Sequence, residues 1–397
     1  MPARRNKRAG VEDRWFKTVV VVDADTGAKK TVRTESAQHG IWKRWRARYV
    51  DEFSREHSKS FDRKTDAQAW LNTVVSQQVT GEYVDPAKSA TLFGVVAEQW
   101  FATKATRKPK TVAGYRSLLD TLVLPTWSNA RLADIEYETI QVWLNSLSNR
   151  GHRFPDRGLS PSRVIQAYQV LDQVLRYAIR SKRLAHNPAQ GVELPRKSEP
   201  ERRYLTHAQL QKLAEASGDR AVLVLVLGYC GLRFGEATAL RVKDFDPIRR
   251  RLHVRRSATA VTKLGIVEGP TKNHLSRSVP IPEFVADRLT RQVESKDTDS
   301  LIFPSRNGGY LSLGELRWPF DKAAQQTGLD GLVPHELRHT AASLAIAAGA
   351  NVKVVQRMLG HKTATLTMDL YGHLYADDLD AVAVALNIAA NASSAQH

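Results

Sequence analysis

His335-Glu336-Leu337-Arg338-His339 admits two readings, and the choice between them decides what the rest of the chain is. On a helix this pentapeptide spells H-E-x-x-H, two zinc-binding histidines one turn apart with a general base between them. That reading needs a third ligand downstream, yet no glutamate follows Glu336. His361 could serve only by leaving its own Leu359-Gly360-His361 setting unexplained. Zinc would also gain a permanent cation, Arg338, as a neighbour, and like charges repel. A zinc metallohydrolase on His335, Glu336 and His339 is therefore the minor alternative, and no metal or other cofactor is expected.

A second chemistry uses more of the sequence. Arg233 stands in Gly231-Leu232-Arg233-Phe234-Gly235-Glu236, Lys272 in Thr271-Lys272-Asn273, His361 after Leu359-Gly360, and Tyr371 further on. Two arginines, a lysine and two histidines can surround one phosphate, and a tyrosine can attack it. A phosphodiester is a poor electrophile, because its oxygens repel nucleophiles and gather more charge in the five-coordinate transition state. Guanidiniums suit that state, being always charged and able to donate two parallel bonds to phosphate, so Arg233 and Arg338 are the expected clamp. Lys272, on a turn between strands, is placed to protonate the leaving 5′ oxygen. His335 is the expected acceptor of the tyrosine proton and His361 a donor to a phosphate oxygen, roles that suit imidazole because its pKa lies near working pH. Tyr371 is the nucleophile, and a covalent link conserves bond energy so that resealing needs neither nucleotide nor metal. Glu236, one turn beyond Arg233, orients it.

Composition agrees with a polyanionic partner. The chain has 397 residues and a formal net charge of +18, too many residues for one ordinary domain and too much positive charge for a neutral ligand. Double-stranded DNA is the expected partner. One cysteine, Cys230, excludes an internal disulfide and sits in an apolar run as an inert core thiol. No apolar run approaches the ~20 residues of a membrane span, so no membrane association and a cytoplasmic, nucleoid-associated setting in a bacterial host are expected. The basic start, with Arg4, Arg5, Lys7 and Arg8, lacks the apolar segment of a secretory signal.

Three zones follow along the chain. In the first, Trp45, Ala47 and Tyr49 alternate with Arg44, Arg46 and Arg48, the period of a strand with an arginine row on its open face. Thr65 or Asp66 caps the helix that follows, through Ala67, Trp70, Leu71 and Val74. A small sheet backed by one helix suits a DNA groove. The second zone reads as helices only, on apolar sets Phe93–Phe101, Tyr115–Leu122 (ending before Pro125), Ile140–Leu147 and Val164–Ile179. A polar linker, Glu193 to Arg203, leads to a capping box at Thr206 and Gln209 with Leu205 and Leu210 as its staple. The third zone is mostly helical, with a β insert over Arg251–Ser257, Ala260–Val267 and Arg277–Ile281.

With these motifs in this order, the chain resembles the tyrosine recombinase (phage integrase) family over roughly residues 90 to 390, most specifically after residue 200. The family pattern follows its tyrosine with a small residue and a histidine, which Tyr371-Gly372-His373 matches and the rival Tyr375-Ala376-Asp377 does not. The resemblance implies a multidomain, mainly α protein. An arm-type DNA-binding domain (residues 1–88, a basic tail and small sheet plus helix) precedes a helical core-binding domain (89–192), a linker (193–203) and a mostly α catalytic domain with a short β insert (204–397). It implies strand exchange through a 3′-phosphotyrosine by a homo-tetramer on DNA, integrating or excising a phage or mobile element. An accessory DNA-bending or directionality protein belongs to the same expectation, and a transposase or resolvase of the same family is the alternative. In the family, an apolar terminal helix such as the one read over Leu379, Val382, Val384, Leu386 and Ile388 docks into a neighbouring subunit.

Overall fold

The computed structural model describes residues 9–22, 29–51, 55–81, 83–149, 158–197, 202–271, 276–374 and 383–391 except 385 and 389. The chain forms two compact units, one of residues 1–107 with 114–197 and one of residues 108–113 with 198–397.

The first unit holds two separate hydrophobic cores. Strands β1 (Gly10–Asp13), β4 (Trp45–Val50) and β5 (Glu56–Phe61) form an antiparallel sheet with β4 in the middle. Helix α1 (Lys64–Thr80) lays Ala67, Leu71 and Val74 on the face that carries Ala47 and Tyr49, as the period-two reading requires. The expected cap is absent: α1 starts at Lys64 after Arg63, and neither Thr65 nor Asp66 caps it. Strands β2 (Phe16–Val22) and β3 (Lys29–Glu35) form a two-stranded ribbon separate from that sheet. Their residues are exposed on both faces, which is why no single-face alternation marked them.

A short helix, α2 (Pro86–Ser89), precedes the second core. This core is built by α3 (Phe93–Ala102), the C-terminal half of α4 (Pro109–Leu118), α5 (Leu124–Trp127), α6 (Tyr137–Asn149) and α7 (Pro161–Arg180). The expected stop before Pro125 does not occur. Residues Leu119–Val123 open into a π-helical turn in which the Leu124 N–H bonds to the Leu119 carbonyl. The wider turn absorbs the donor that proline lacks, so the helix runs on through Pro125 to Trp127.

The second unit is organised around α9 (Ala221–Cys230), which is apolar on every side and therefore central. Around it lie α8 (His207–Ala216), the one-turn α10 (Phe234–Ala237), α11 (Glu283–Val293), α12 (Leu313–Gln326), α13 (Glu336–Ala347), α14 (Val352–Leu359) and α15 (Ala364–Tyr371). The Thr206–Gln209 capping box forms, with Leu205 and Leu210 both buried. The β insert is more divided than its sequence suggests. The run Arg251–Ser257 breaks at Arg255 into β7 (Arg251–Val254) and β8 (Arg256–Val261). Strand β7 pairs with β6 (Phe245–Asp246) and β10 (Arg277–Pro280), while β8 pairs only with β9 (Gly265–Pro270). Among the described residues, no helix is long and apolar enough to cross a membrane.

Candidate active site

The site forms where helix ends meet. Helix α9 stops at Gly231, whose φ of +63° lets the chain turn sharply. The turn sends Arg233 to the start of α10. Helix α14 stops at Gly360 in the same left-handed conformation. The last carbonyls of a helix have no partner within it and attract cations, and here three successive ones each receive a different guanidinium. The Met358 carbonyl accepts from Arg277 Nε at 2.9 Å, the Leu359 carbonyl from Arg338 Nη2 at 2.6 Å, and the Gly360 carbonyl from Arg233 Nη2 at 3.5 Å. Arg338 also donates to the Gly231 carbonyl, which ties both glycine turns to one side chain. Three arginines that are far apart in sequence are thereby held around one helix terminus.

Their counter-charge comes from Glu236. It accepts from Arg233 Nη1 at 2.8 Å and from the Arg233 backbone N–H at 3.0 Å, and from Arg277 at 3.1 and 2.6 Å. Glu236 is 1% exposed. Burial works against its charge, but the hydrogen bonds and charge of Arg277, with those of Arg233, outweigh it and hold the carboxyl at about 2. Arg338 is 4% exposed. Burial, then the charge of Arg233, lowers its guanidinium to about 9, still cationic at neutral pH. A buried cation destabilised by its neighbours is a place where an arriving anion is favoured.

Tyr371 ends α15 and is 1% exposed. Its hydroxyl meets Nδ1 of His339 at 2.9 Å. The expected partner for this contact, His335, instead stands exposed at the start of α13 with its ring edge-on to His339 at 5.4 Å. The helical period explains the exchange, because His335 and His339 share a face one turn apart and only the inner ring reaches the tyrosine. Burial, assisted by the charges of His335, Arg202 and Arg338, lowers His339 to about 4, so its ring is neutral at pH 7 and can accept. His361 stacks parallel to the Tyr371 ring at 6.4 Å, with Nδ1 on Thr367 Oγ1 at 3.0 Å. Burial and the Arg338, Arg233 and Arg277 charges lower it to about 4 as well. Burial also raises the Tyr371 hydroxyl to about 12, against the opposing pull of Arg338.

Arg233, Arg338, His361 and Tyr371 are thus gathered in one place, with His335 at its edge. Lys272 lies outside the described residues, as does Tyr375. Arg277 and His339 were not singled out in this role from sequence. Arg277 opens a strand and carries no motif, while His339 was visible only as half of a zinc pair. Among the described residues, those zinc-pair histidines share no third ligand. Among the described residues, the His/carboxylate group close enough to share an ion is Asp51, His57 and Asp85, and Arg55 already bridges its two carboxylates at 3.1 and 3.2 Å.

The arginine row of β4 is partly committed. Arg44 precedes the strand and pairs with Asp13 at 3.0 Å, and Arg46 pairs with Glu12, leaving Arg48 as the exposed member.

Residues 203–377 match the phage integrase family and residues 93–193 the phage integrase central domain. The chain is 29% identical over 337 residues to the prophage phiRv2 integrase of Mycobacterium tuberculosis, covering 81% of this chain and 86% of that protein. Its fold is similar to that of the Tn1549 transposon integrase, solved with a circular intermediate DNA (TM-score 0.64, 18% identity, 75% of this chain and 99% of that one). It is also similar to lambda integrase, solved as a tetramer bound to a Holliday junction (TM-score 0.54, 21% identity, 82% and 91% covered). The chain belongs to the tyrosine recombinase (phage integrase) family. Its activity is that family's site-specific cleavage and rejoining of DNA strands.

Proposed function

We propose that Tyr371 is the nucleophile of this reaction and that it works in a site made by Arg233, Arg338, His339, His361 and Lys272. The observation that carries this reading is the gathering of guanidiniums at the end of α14 beside a buried tyrosine whose hydroxyl already touches a neutral imidazole. Tyr371 Oη attacks phosphorus and its proton passes to His339 Nδ1. The bond from phosphorus to the 5′ oxygen breaks, and the leaving oxygen takes a proton from Lys272. The product is a 3′-phosphotyrosine and a free 5′ hydroxyl. Arg233 and Arg338 carry the charge that grows on the non-bridging oxygens, a contribution of about a hundred- to a thousandfold per fixed donor. His361, stacked on the tyrosine, donates to the same phosphate. Arg277 holds Glu236 and so keeps Arg233 aimed.

Residues 204–397 supply this chemistry, residues 89–192 help hold the core-type site, and residues 1–88 bind arm-type DNA. Arg48 is free to meet phosphate, and Arg46 can trade Glu12 for it because surface ion pairs are worth only about 0–1 kcal/mol, while Arg44 stays on the less exposed Asp13 and adds its charge beside them. Four copies act together and the reaction integrates or excises a phage or mobile element, with an accessory bending or directionality protein setting its direction. The likeness to phage and prophage integrases favours this over a transposase or resolvase.

The test uses a duplex selected by the purified full-length chain from a random-sequence pool and then nicked to trap the intermediate. A detergent-resistant protein–DNA adduct is expected, with the nucleotide on the peptide containing Tyr371. An adduct on Tyr375, or none at all with a duplex that binds tightly, overturns the assignment.

A further inference from the structure

The nucleophile is held from outside its own helix. Of four successive residues at the opening of the catalytic unit, two bond the residues beside Tyr371 and two bond the structure around it. Arg202 Nη1 donates to the Leu370 carbonyl at 3.0 Å, and Arg203 donates to the Asp330 carbonyl. The Tyr204 hydroxyl bonds with His373 Nε2 at 3.3 Å, and the Leu205 N–H donates to Thr340 Oγ1 at 3.1 Å. Leu370 and His373 flank Tyr371 in sequence, and Thr340 follows His339. The segment Arg202–Leu205 therefore touches both sides of the attacking residue and the helix that carries its proton acceptor.

We propose that this segment is a strap, and that Arg202 and Tyr204 are positioning residues for Tyr371. The inference rests on the reading of Tyr371 as nucleophile. Helix α15 ends at Tyr371, so the Leu370 carbonyl lacks a donor within the helix, and a guanidinium there is favoured by both hydrogen bonding and the helix dipole. Removing it frees the last turn of α15, the turn whose angle aims the hydroxyl. Tyr371 is 1% exposed with its hydroxyl on His339, so it must shift to reach a phosphorus, and whatever holds residues 370 and 373 governs that shift. The outer side of the strap borders an open cleft of about 440 Å³ lined by Arg202, Arg203, Tyr204, Leu205, Gln209 and Leu329, which leaves it room to move. Charge acts in the same sense. The titratable groups facing Tyr371 and His339 are Arg338 and His335 on or beside α13, His361 after α14, and Arg202 and Tyr204 on the strap. Arg202 favours the tyrosinate and disfavours a protonated His339.

The experiment follows adduct formation by the full-length chain on the nicked selected duplex, as a function of pH, beside affinity for the intact duplex. Arg202→Gln is expected to slow adduct formation about ten- to a hundredfold, the scale of a misplaced reacting group, with affinity unchanged. It should also move the rising limb of the pH profile upward. Arg202→Lys should recover most of the rate, and Tyr204→Phe should slow it less without moving the profile upward, because Tyr204 raises rather than lowers Tyr371. Wild-type rate and profile in Arg202→Gln overturn the proposal. So does affinity falling in step with rate, which makes Arg202 a DNA contact. If Arg202→Gln fails to fold by circular dichroism, Tyr204→Phe decides, and an unchanged rate there overturns the strap. Absence of a Tyr371 adduct in the wild-type chain is a different failure, that of the nucleophile assignment itself.

Discussion

Tyr371 carries the sharpest expectations of any single residue. Tyr371→Phe removes only the attacking oxygen, so covalent adducts should vanish while the selected duplex binds as before in a mobility-shift titration; Tyr375→Phe should still cut. His339→Ala should slow adduct formation by about a hundredfold or more, the usual worth of a positioned proton acceptor, whereas His335→Ala should cost less. The reverse order would return the acceptor role to His335. The sequence pattern favours His335, yet spacing alone cannot rank these two rings. Their spacing puts both on one face of α13, and which one reaches the tyrosine depends on how α15 packs across that face. Arg277 was hidden for a related reason: its meaning comes from Glu236 and Met358, neither of them near it in sequence.

At the scale of elements, the site depends on turns that tolerate no side chain. A Cβ on Gly235 would stand 2.3 Å from the Ala258 carbonyl and 2.8 Å from Ser257 Oγ, so α10 and β8 touch backbone to backbone there. Gly235→Ala should cost about 1–3 kcal/mol through forced displacement and should slow cleavage beyond its effect on stability, because Arg233 and Glu236 flank the clash. Thermal melts beside adduct rates check this, and an Ala variant with wild-type melting and cutting refutes it. The helices of the second zone were legible where each buries one stripe against a core, as Ile140, Trp143, Leu144 and Leu147 do in α6. The ribbon β2–β3 was not legible as a separate element, since it buries neither face. Pro125 misled because a π turn can cancel the local rule. The terminal apolar residues Val384, Leu386 and Ile388 are exposed rather than packed on their own unit.

For the whole molecule, the buried titratable groups predict an acid sensitivity with two windows. His339 and His361 titrate near 4 in the folded chain against 6.5 for an ordinary imidazole. The unfolded chain therefore takes up those protons first, and stability present above pH 6.5 is lost as pH falls from 6.5 toward 4. Glu236, at about 2 against 4.5, likewise contributes stability above pH 4.5 that is lost as pH falls from 4.5 toward 2. Denaturation midpoints across these ranges should drop in that sequence, and Glu236→Gln should lack the lower step. A midpoint unchanged between pH 6.5 and 4 would mean that the two imidazoles are solvated in the folded chain. Removing residues 1–88 should abolish binding to arm-type DNA and spare core-type DNA, with the salt dependence of the lost activity scaling with its phosphate contacts. Loss of core-site affinity on that deletion would make the first sheet part of the core clamp. Charge and composition made the DNA partner legible at this scale from the start.

The sole thiol in the chain, Cys230, is completely buried at the end of α9, beside the glycine whose carbonyl anchors Arg338. Burial raises it to about 12, so it is inert while the fold is closed. The protein therefore carries its own clock for the opening of the catalytic core. A thiol-reactive dye should label the native chain only as fast as that core opens, and the selected duplex should slow labelling by linking its binding to the closed state. Modification as rapid as that of a free peptide cysteine would mean that α9 is not the closed centre of its unit.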